Sequence, residues 1–397
     1  LEEEIKKLDN VELVASLADV LGEGIPVEML PDEIQDSLYK NGSTLMAVTF
    51  KDSISSDKTL ETVQKLRDIT DERCKISGMS AMVLDTKQVS DSEITAYVLI
   101  AVGLCLVILQ IALDSYFAPI LLLLNIGIAI LYNMGTNVFL GETSYITKAI
   151  SSVLQLGVTM DFAIFLYHSY IQEKETAKDI YEAMATAISK TLVSVVGSSL
   201  TTIAGFLALC SMNLTLGKDI GLVMAKGVLF GVICVVTILP AMILCCNSLI
   251  EKTKHKVILP KFTKLKDFIV KHYKWALAIF VIILPIAYYG YTNTGIYYNL
   301  DKSLPDTLGS VIANSELKEK FNMVSTEMIL IDKDLDDAKV NEMIDKIDKL
   351  DGMEWSLSLS KLQKLGIPTE ILPDELIKKI ENDKYQIIIV NSNYEMA

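Results

Sequence analysis

The chain has 397 residues, of which 51% are hydrophobic, and its mean hydropathy is +0.38. This composition is too apolar for an ordinary soluble protein and indicates a protein of the membrane. The formal net charge of −14 argues against nucleic acid as a partner, because surfaces that bind nucleic acid are basic.

The first and last parts of the chain, residues 1–93 and 295–397, mix polar and apolar residues in the manner of soluble α/β proteins. Short apolar runs there predict strands, and runs with apolar residues at helical spacing predict helices that pack on a small sheet. We expect strands at 45–50, 326–331 and 385–390, and helices at Asp57–Glu72 and Asp336–Leu350.

Six stretches between these parts are apolar enough to cross a membrane. About 20 apolar residues span the ~30 Å hydrocarbon layer as a helix. The stretches are Ile94–Leu113, Tyr116–Met134, Ile146–Tyr167, Thr191–Met212, Ile220–Cys245 and Trp275–Tyr291.

The segment from Leu249 to Lys274 orients the chain, because it holds eight lysines against only Glu251 and Asp267. Short loops rich in Lys and Arg lie on the cytoplasmic side of a membrane. Five predicted spans precede this segment and one follows it, so both soluble parts are expected outside the cytoplasm.

The cysteine and histidine positions predict neither a disulfide framework nor a metal site. Five of the six cysteines lie within or at the ends of the predicted spans, where thiols act as small apolar side chains, and Cys74 is the only one in a soluble part. The three histidines are scattered, with none at ligand spacing with a cysteine. No catalytic or cofactor motif is present, so we expect a protein that is not an enzyme and that has no cofactor.

An internal repeat is the most informative pattern. Residues Ile5–Glu33 align without a gap to Ile347–Glu375, and about half of the aligned positions are identical. The identical pairs include Gly24 with Gly366, Pro26 with Pro368 and Pro31 with Pro373. Self-similarity at so long a period indicates duplicated structure, and membrane transporters often contain such parallel repeats.

The repeat predicts that the chain is part of a pseudo-symmetric protein of about twelve spans. The partner repeat would then come from a second half of the same polypeptide. The expected parts are an end of one extracytoplasmic domain (1–93), a five-helix bundle (94–250), a cytoplasmic basic linker (251–274), a single span (275–294) and the start of a second extracytoplasmic domain (295–397).

The stretch Thr191–Met212 has one flank of small and hydroxyl side chains. Ser194, Ser198 and Thr202 recur at every fourth position, as do Gly197, Thr201 and Gly205. Such a flank predicts close packing on another helix. A second interpretation is that the hydroxyls pass hydrogen bonds or water to a neighbouring carboxylate.

Asp161 is an acidic residue inside an apolar span, "GVTMDFAIFLYHSY". A carboxylate near the middle of a bilayer costs roughly 2.5 to 3.5 kcal/mol, and such residues often mark ion pathways. The hypothesis is that Asp161 takes up a proton from outside and releases it inside. The alternative is simple structural tolerance.

Two further ionisable residues are candidates for the same proton pathway. His168 lies on the same helical side as Asp161 and could pass protons on, or could serve as an interfacial anchor. Lys226 lies inside a span, and it could either approach Asp161 or extend to the membrane surface.

The motif "GVTMDFAIFL", Gly157–Leu166, resembles the fourth-helix motif of the RND superfamily, particularly its MMPL-type branch. Ser198–Leu209 is similar to the fifth helix of that branch, Gly221–Met242 with its late Pro240 to the sixth, and Ser77–Asp85 to the segment before the second. The resemblance covers nearly the whole chain. The aromatic residue after the aspartate, often tyrosine in the family, is Phe162 here, so the relay would depend more on water or on Ser198, Thr201 and Thr202.

The resemblance implies a membrane α-helical bundle of six transmembrane helices, flanked by partial α/β porter-like extracytoplasmic domains. It implies export of lipids or other hydrophobic compounds across a bacterial plasma membrane, driven by protons, with Asp161 as the relay aspartate. Membrane lipids, hydrophobic small molecules and a second copy of the chain are the expected partners. Two alternatives remain, a sterol-sensing-type receptor or scaffold and an accessory of protein translocation.

Overall fold

The computed structural model describes residues 1–16, 39–40, 42–257, 263–295, 304–364, 377–378 and 380–393. The chain divides into two compact units. One combines Leu1–Gln88 with Asn293–Ala397, and the other runs from Val89 to Thr292. Much of the predicted repeat (17–33 and 365–375) and part of the basic segment (258–262) lie outside the described residues.

The described chain alternates short elements at both ends with long helices between them. The first elements are α1 (Glu2–Lys6), β1 (Val11–Ser16), β2 (Tyr39–Lys40), β3 (Ser43–Thr44), β4 (Met46–Phe50) and α2 (Asp57–Ile69). The helical part contains α3 (Met79–Ala112), α4 (Ala118–Gly135) followed by a 3-10 helix (Thr136–Leu140), α5 (Tyr145–Lys174), α6 (Ile180–Leu209), α7 (Thr215–Cys245), α8 (Asn247–Lys252), α9 (Thr263–Lys271) and α10 (Tyr273–Thr292). The last elements are α11 (Gly309–Phe321), β5 (Ser325–Asp332), α12 (Asp337–Ile347), β6 (Met353–Leu357), α13 (Leu359–Lys364) and β7 (Tyr385–Ser392).

Six of the described helices, α3 to α7 and α10, are long and apolar enough to cross a membrane. Each overlaps one of the six predicted stretches, which confirms the number of apolar helices. Several are longer than predicted because their polar ends continue the helix. Helix α6 begins at Ile180, for example, because the Asp179 carboxylate accepts hydrogen bonds from the backbone N–H groups of Tyr181 (2.9 Å) and Glu182 (2.8 Å).

Helix α7 lies against α4, α5 and α6 in the second unit. Glycines on α7 permit this close packing. A Cβ atom on Gly221 would lie 2.5 Å from the carbonyl oxygen of Phe206 on α6, and one on Gly231 would overlap Cγ2 of Thr159 on α5. The bundle core is otherwise apolar, with fully buried Leu122, Leu239 and others.

The described part of the first unit contains three small antiparallel sheets, and helices pack on two of them. Strands β5, β7 and β6 form one sheet, in which β7 is central and antiparallel to both neighbours. Helix α12 covers one face of this sheet, where Val340 and Ile344 pack with Ile388 and Val390. Strands β1 and β4 form a second sheet, and the two-residue strands β2 and β3 form the third. The predicted strands at 45–50, 326–331 and 385–390 and the two predicted helices are therefore confirmed.

The repeat is present in the strand pairing as well as in the sequence. Four of the five pairs between β1 and β4 have a counterpart between β6 and β7 in which both residues lie 342 positions later. Both pairings are irregular at the same place, Val11/Leu13 and Met353/Trp355. The matched pairs are Val11–Phe50 and Met353–Ser392, Leu13–Thr49 and Trp355–Asn391, Val14–Val48 and Ser356–Val390, and Ala15–Ala47 and Leu357–Ile389.

One backbone hydrogen bond follows the same offset. Lys51 N–H donates to the carbonyl of Asn10 over 3.0 Å, and Asn393 N–H donates to the carbonyl of Gly352 over 2.9 Å. A shared register with a shared irregularity is what duplication of one folded unit produces.

Candidate functional site

Asp161 lies on α5 and is exposed at the surface of the described bundle. It lines an open groove between α5 and α6 with a volume of about 480 Å³. The groove is lined by Val158, Asp161, Phe162, Phe165, Ser194, Val195, Ser198 and Thr202. The structure thus brings Asp161 together with two of the predicted hydroxyl residues, Ser198 and Thr202, and with Ser194.

The hydroxyl groups on α6 are suited to interact with a carboxyl group. Thr202 Oγ1 donates to the backbone carbonyl of Ser198 over 3.0 Å, and Thr201 Oγ1 donates to the same carbonyl over 2.7 Å. Because each hydroxyl group donates its hydrogen to the backbone, the lone pairs of its oxygen remain free to accept a hydrogen bond from a protonated carboxyl group. Asp161 itself makes no hydrogen bond or ion pair with any residue that the structure describes.

Three predicted relay residues, Thr201, His168 and Lys226, are not among the residues that line this groove. His168 is exposed two turns further along α5, and its ring contacts that of Tyr167 at a centroid distance of 6.5 Å. Lys226 on α7 donates from Nζ to Oδ1 of Asn137, in the 3-10 helix after α4, over 2.6 Å. Of the two placements that the sequence left open for Lys226, the structure shows the one directed away from Asp161.

The predicted packing glycines face outward in this chain. Gly157, Gly197 and Gly205 are exposed, and a Cβ atom on any of them would meet nothing within 4 Å among the described residues. Phe162 is buried beside Asp161, and Pro240 is buried within α7. No described helix packs closely on these three glycines, so the predicted close packing of another helix there stays a prediction.

Polar residues that the sequence reasoning missed lie in the interior of the bundle. Thr147, Ser151, Gln155 and Thr159 are buried on one face of α5, and Asn133 on α4 donates to Gln155. Their spacing of four residues is the signal that could have identified them. The apolar context of the span drew attention to its one charge and away from these neutral side chains.

A second polar cluster joins the C-terminal end of α5 to α8. Lys174 Nζ donates to Oδ1 of Asn247 and to Oε1 of Glu251, each over 2.6 Å. This hydrogen bond from Lys174 lowers the pKa of Glu251, although partial burial opposes the shift. The cluster places the turn between α5 and α6 at the same end of the bundle as the basic segment Leu249–Lys274, which begins within α8.

The sequence of residues 29–261 matches the MMPL family. The chain belongs to the MMPL family. The match contains α3 to α7 and the whole Asp161 groove, and it confirms the resemblance drawn from the fourth-helix motif. Together with the six apolar helices, it shows that this MMPL chain is a multi-pass membrane protein.

Curated relatives of this MMPL chain come from archaea and bacteria. The membrane protein MJ1562 of Methanocaldococcus jannaschii is 33% identical over 138 residues, which is 35% of this chain and 36% of the relative. The membrane protein ActII-3 of Streptomyces coelicolor is 33% identical over 147 residues, 35% of this chain and 20% of the relative. The siderophore exporter MmpL5 of Mycobacterium tuberculosis is 24% identical over 197 residues, 48% of this chain and 20% of the relative. The matched regions thus span about a fifth to a third of these relatives.

Proposed function

We propose that the chain is part of a transporter that exports lipids or other hydrophobic or amphiphilic compounds and is driven by protons. The observation that supports this best is the groove in which the Asp161 carboxylate lies with the hydroxyls of Ser194, Ser198 and Thr202. A titratable group surrounded by proton acceptors and donors, on an apolar helix, is the arrangement of a proton-binding site.

The energetics favour a working role for Asp161 over simple tolerance. A carboxylate at mid-bilayer costs roughly 2.5 to 3.5 kcal/mol on insertion scales, which binding a proton would relieve. One proton moving through a potential of 100 mV releases about 2.3 kcal/mol. Alternate protonation from the two sides of the membrane would make this energy available to move a helix bundle and, with it, a cargo.

The exposed groove also suggests what completes the site. Polar side chains on a membrane helix face protein or water rather than lipid. Gly197 and Gly205 beside the groove leave space for a closely packed helix. In the proposal this helix belongs to the second repeat, supplied by the same polypeptide or by a second copy of the chain, and it carries the polar partner of Asp161.

The proposal includes an orientation and a location. The basic segment Leu249–Lys274 lies in the cytoplasm of a bacterial cell, and both soluble parts lie outside its plasma membrane. These parts act as porter-like domains that capture and release cargo, at a distance from Asp161, through tilting of one repeat against the other. A relative described as a siderophore exporter supports a transport role.

The test uses the full-length protein in lipid vesicles loaded with a fluorescent amphiphile. Wild type should move the dye only when a proton gradient is imposed. In Asp161→Asn this gradient-driven transport should be lost. Asp91→Asn is the matched control, because Asp91 is an exposed carboxylate whose partner is Lys148 at 3.2 Å. Gradient-driven transport that survives in Asp161→Asn would overturn the proton role of this residue.

A lipid-sensing scaffold is the second candidate, and one cavity favours it. Helices α3, α4 and α5 line an open pocket of about 370 Å³, and its lining is almost wholly apolar, with side chains such as Val102, Leu124 and Leu156. A cavity of this size and character suits a lipid chain. The same experiment separates the two functions, because a sensor that does not transport should move no dye even in wild type when the proton gradient is imposed.

A further inference from the structure

Helix α9 separates its apolar residues from its charged residues. Successive residues on an α-helix are turned by about 100°, so Leu265, Phe268 and Ile269 lie together on one side, which we call the apolar side. The charged residues lie around the rest of the helix, which we call the basic side, and they are Lys264, Lys266, Asp267 and Lys271.

The apolar side of α9 remains open in the described part of the chain. Leu265 is 51% exposed, Phe268 61% and Ile269 50%. The ring of Phe268 contacts only the neighbouring ring of His272 among the described aromatic and histidine rings, at a centroid distance of 4.6 Å. A helix with such a side normally buries it, so the apolar side requires a partner.

The charge of the basic side indicates the sign of that partner. Three lysines stand against Asp267 alone. Lys266 lies 3.7 Å from Asp267, but both side chains are more than 70% exposed, and such a surface pair contributes little. Lys264 and Lys271 form no ion pair with any residue that the structure describes. The helix therefore keeps a net positive charge, which favours an anionic partner.

The start of α10 places α9 at the level of the lipid headgroups. Only His272 separates the two helices. Its N–H donates to the carbonyl of Phe268 over 3.0 Å, and its carbonyl accepts the N–H of Ala276 over 3.1 Å. Tyr273 and Trp275, at the first turn of α10, are 62% and 71% exposed, and these two residue types are enriched where a membrane helix enters the headgroup layer. No loop therefore separates α9 from this layer.

A membrane surface with anionic lipids is the partner that suits both sides of α9. Lys264 and Lys266 border the apolar side at its two edges. On a helix that lies in the membrane surface, lysines at these edges reach the headgroups while the apolar side enters the layer below them. Anionic headgroups attract clustered lysines at short range. Water alone would leave the apolar side uncovered.

We propose that α9 lies in the headgroup layer and binds anionic phospholipids, with its apolar side among the upper acyl chains and its three lysines at the headgroup phosphates. This lipid recognition rests on α9 and the first turn of α10. The leaflet is the cytoplasmic one in the proposed orientation, and this detail alone rests on the proposed function.

The test is fluorescence quenching of one tryptophan on α9 in the full-length protein. Phe268→Trp is combined with Trp275→Phe, Trp355→Phe and replacement of every other tryptophan by phenylalanine. The bilayers contain equal amounts of phosphatidylglycerol and phosphatidylcholine, and one of the two lipids carries bromine on its acyl chains. Quenching by brominated phosphatidylglycerol should exceed quenching by brominated phosphatidylcholine about twofold or more. Equal quenching by the two lipids would overturn the preference for anionic lipid. Absence of quenching by either would place Phe268 in water or on protein and would overturn the proposal.

A second arm of the test removes the lysines of α9. In the combined variant Lys264→Gln, Lys266→Gln and Lys271→Gln, the difference between the two brominated lipids should be lost. The control makes the same change of charge at three exposed lysines of the soluble parts, Lys7→Gln, Lys339→Gln and Lys349→Gln. The difference should persist in this control. A difference that survives removal of the three α9 lysines would overturn their role in lipid recognition.

A third arm tests which side of α9 enters the bilayer. Val270, which is 68% exposed, lies on the basic side, about 160° around the helix from Phe268. Val270→Trp should therefore be quenched less than Phe268→Trp by the brominated acyl chains. Equal quenching at the two positions would overturn the placement of the apolar side. If wild type moves no dye under a proton gradient, the proposed function fails, while the quenching still decides whether α9 binds anionic lipid.

Discussion

Arg67 and Asp85 form a two-pronged ion pair in the first unit, with Nη1 to Oδ1 at 2.6 Å and Nη2 to Oδ2 at 3.0 Å. Oδ2 of Asp85 also accepts the backbone N–H of Ser310 over 3.0 Å, at the start of α11. Asp85 is only 2% exposed. The contact joins two parts of the chain that are far apart in sequence, 1–88 and 293–397.

Loss of either charge should destabilise the first unit. Arg67→Ala leaves the buried Asp85 carboxylate without its cation, and removal of one partner of a buried pair typically costs about 3 to 5 kcal/mol. Fluorescence of Trp355 on β6, recorded in a Trp275→Phe background, reports unfolding of this unit. Arg73→Ala is the control, since Arg73 pairs with Asp71 on the surface. Equal stability of Arg67→Ala and wild type would contradict the expectation.

The same pair predicts how stability depends on pH. Asp85 lies on α3 before the apolar stretch that starts at Ile94, so it is outside the membrane-spanning part. Burial alone would raise its pKa, but hydrogen bonds from Arg67 and Ser310 outweigh burial and lower the pKa below its usual value of 3.8. The stabilisation is therefore complete above about pH 4 and is lost as the pH falls through the lowered pKa.

The measurement is the unfolding midpoint by Trp355 fluorescence between pH 7 and pH 2, for wild type and Asp85→Asn. The difference between the two proteins should stay constant from pH 7 to about pH 5 and shrink below about pH 4. A difference that is already lost near pH 6 would show that another group controls the contact.

The glycines of α7 predict a contrast between inward and outward positions. Gly231→Ala places a methyl group against Thr159, whose branched side chain is stiff and whose Oγ1 is bonded to the carbonyl of Gln155 over 2.7 Å. Overpacking of this kind costs about 1 to 3 kcal/mol. Gly157→Ala on α5 meets no described atom within 4 Å and serves as the control.

Thermal unfolding of this chain in nanodiscs compares the two variants with wild type. We expect a lower midpoint for Gly231→Ala and an unchanged one for Gly157→Ala. Equal midpoints would show that α7 does not approach α5 as closely as the structure has it.

The elements were easier to predict from sequence than the contacts between them. Hydropathy located all six apolar helices, because burial in lipid requires a long apolar run. It missed the early start of α6 at Ile180, since the cap at Asp179 and the polar first turns carry no hydropathy signal. The repeat was visible as sequence identity. A strand register shared by the two copies is what duplication of one folded unit would produce.

The site was only partly predictable. The motif identified Asp161, and the spacing of Ser198 and Thr202 indicated the face of α6 that the groove uses. The spacing of the glycines does not show which of them pack against another helix of this chain. Gly197 and Gly231 both lie in apolar helices, and only the structure shows which neighbour each one faces.

Orientation provides the last prediction. Lys174 and Glu251 form an ion pair at 2.6 Å, so the turn between α5 and α6 lies at the end of the bundle where the basic segment begins. In the proposed orientation, which rests on the positive-inside rule, this end lies in the cytoplasm. The exposed Glu142 lies in the loop before α5, at the opposite end of the bundle from the basic segment.

Single cysteines at Glu142 and at the exposed Lys178, in a variant without the six native cysteines, report the two ends of the bundle separately. A membrane-impermeant thiol reagent added to intact cells should label Glu142→Cys at once and Lys178→Cys only after permeabilisation. The reverse pattern would place the basic segment outside and remove the proposed direction of proton entry.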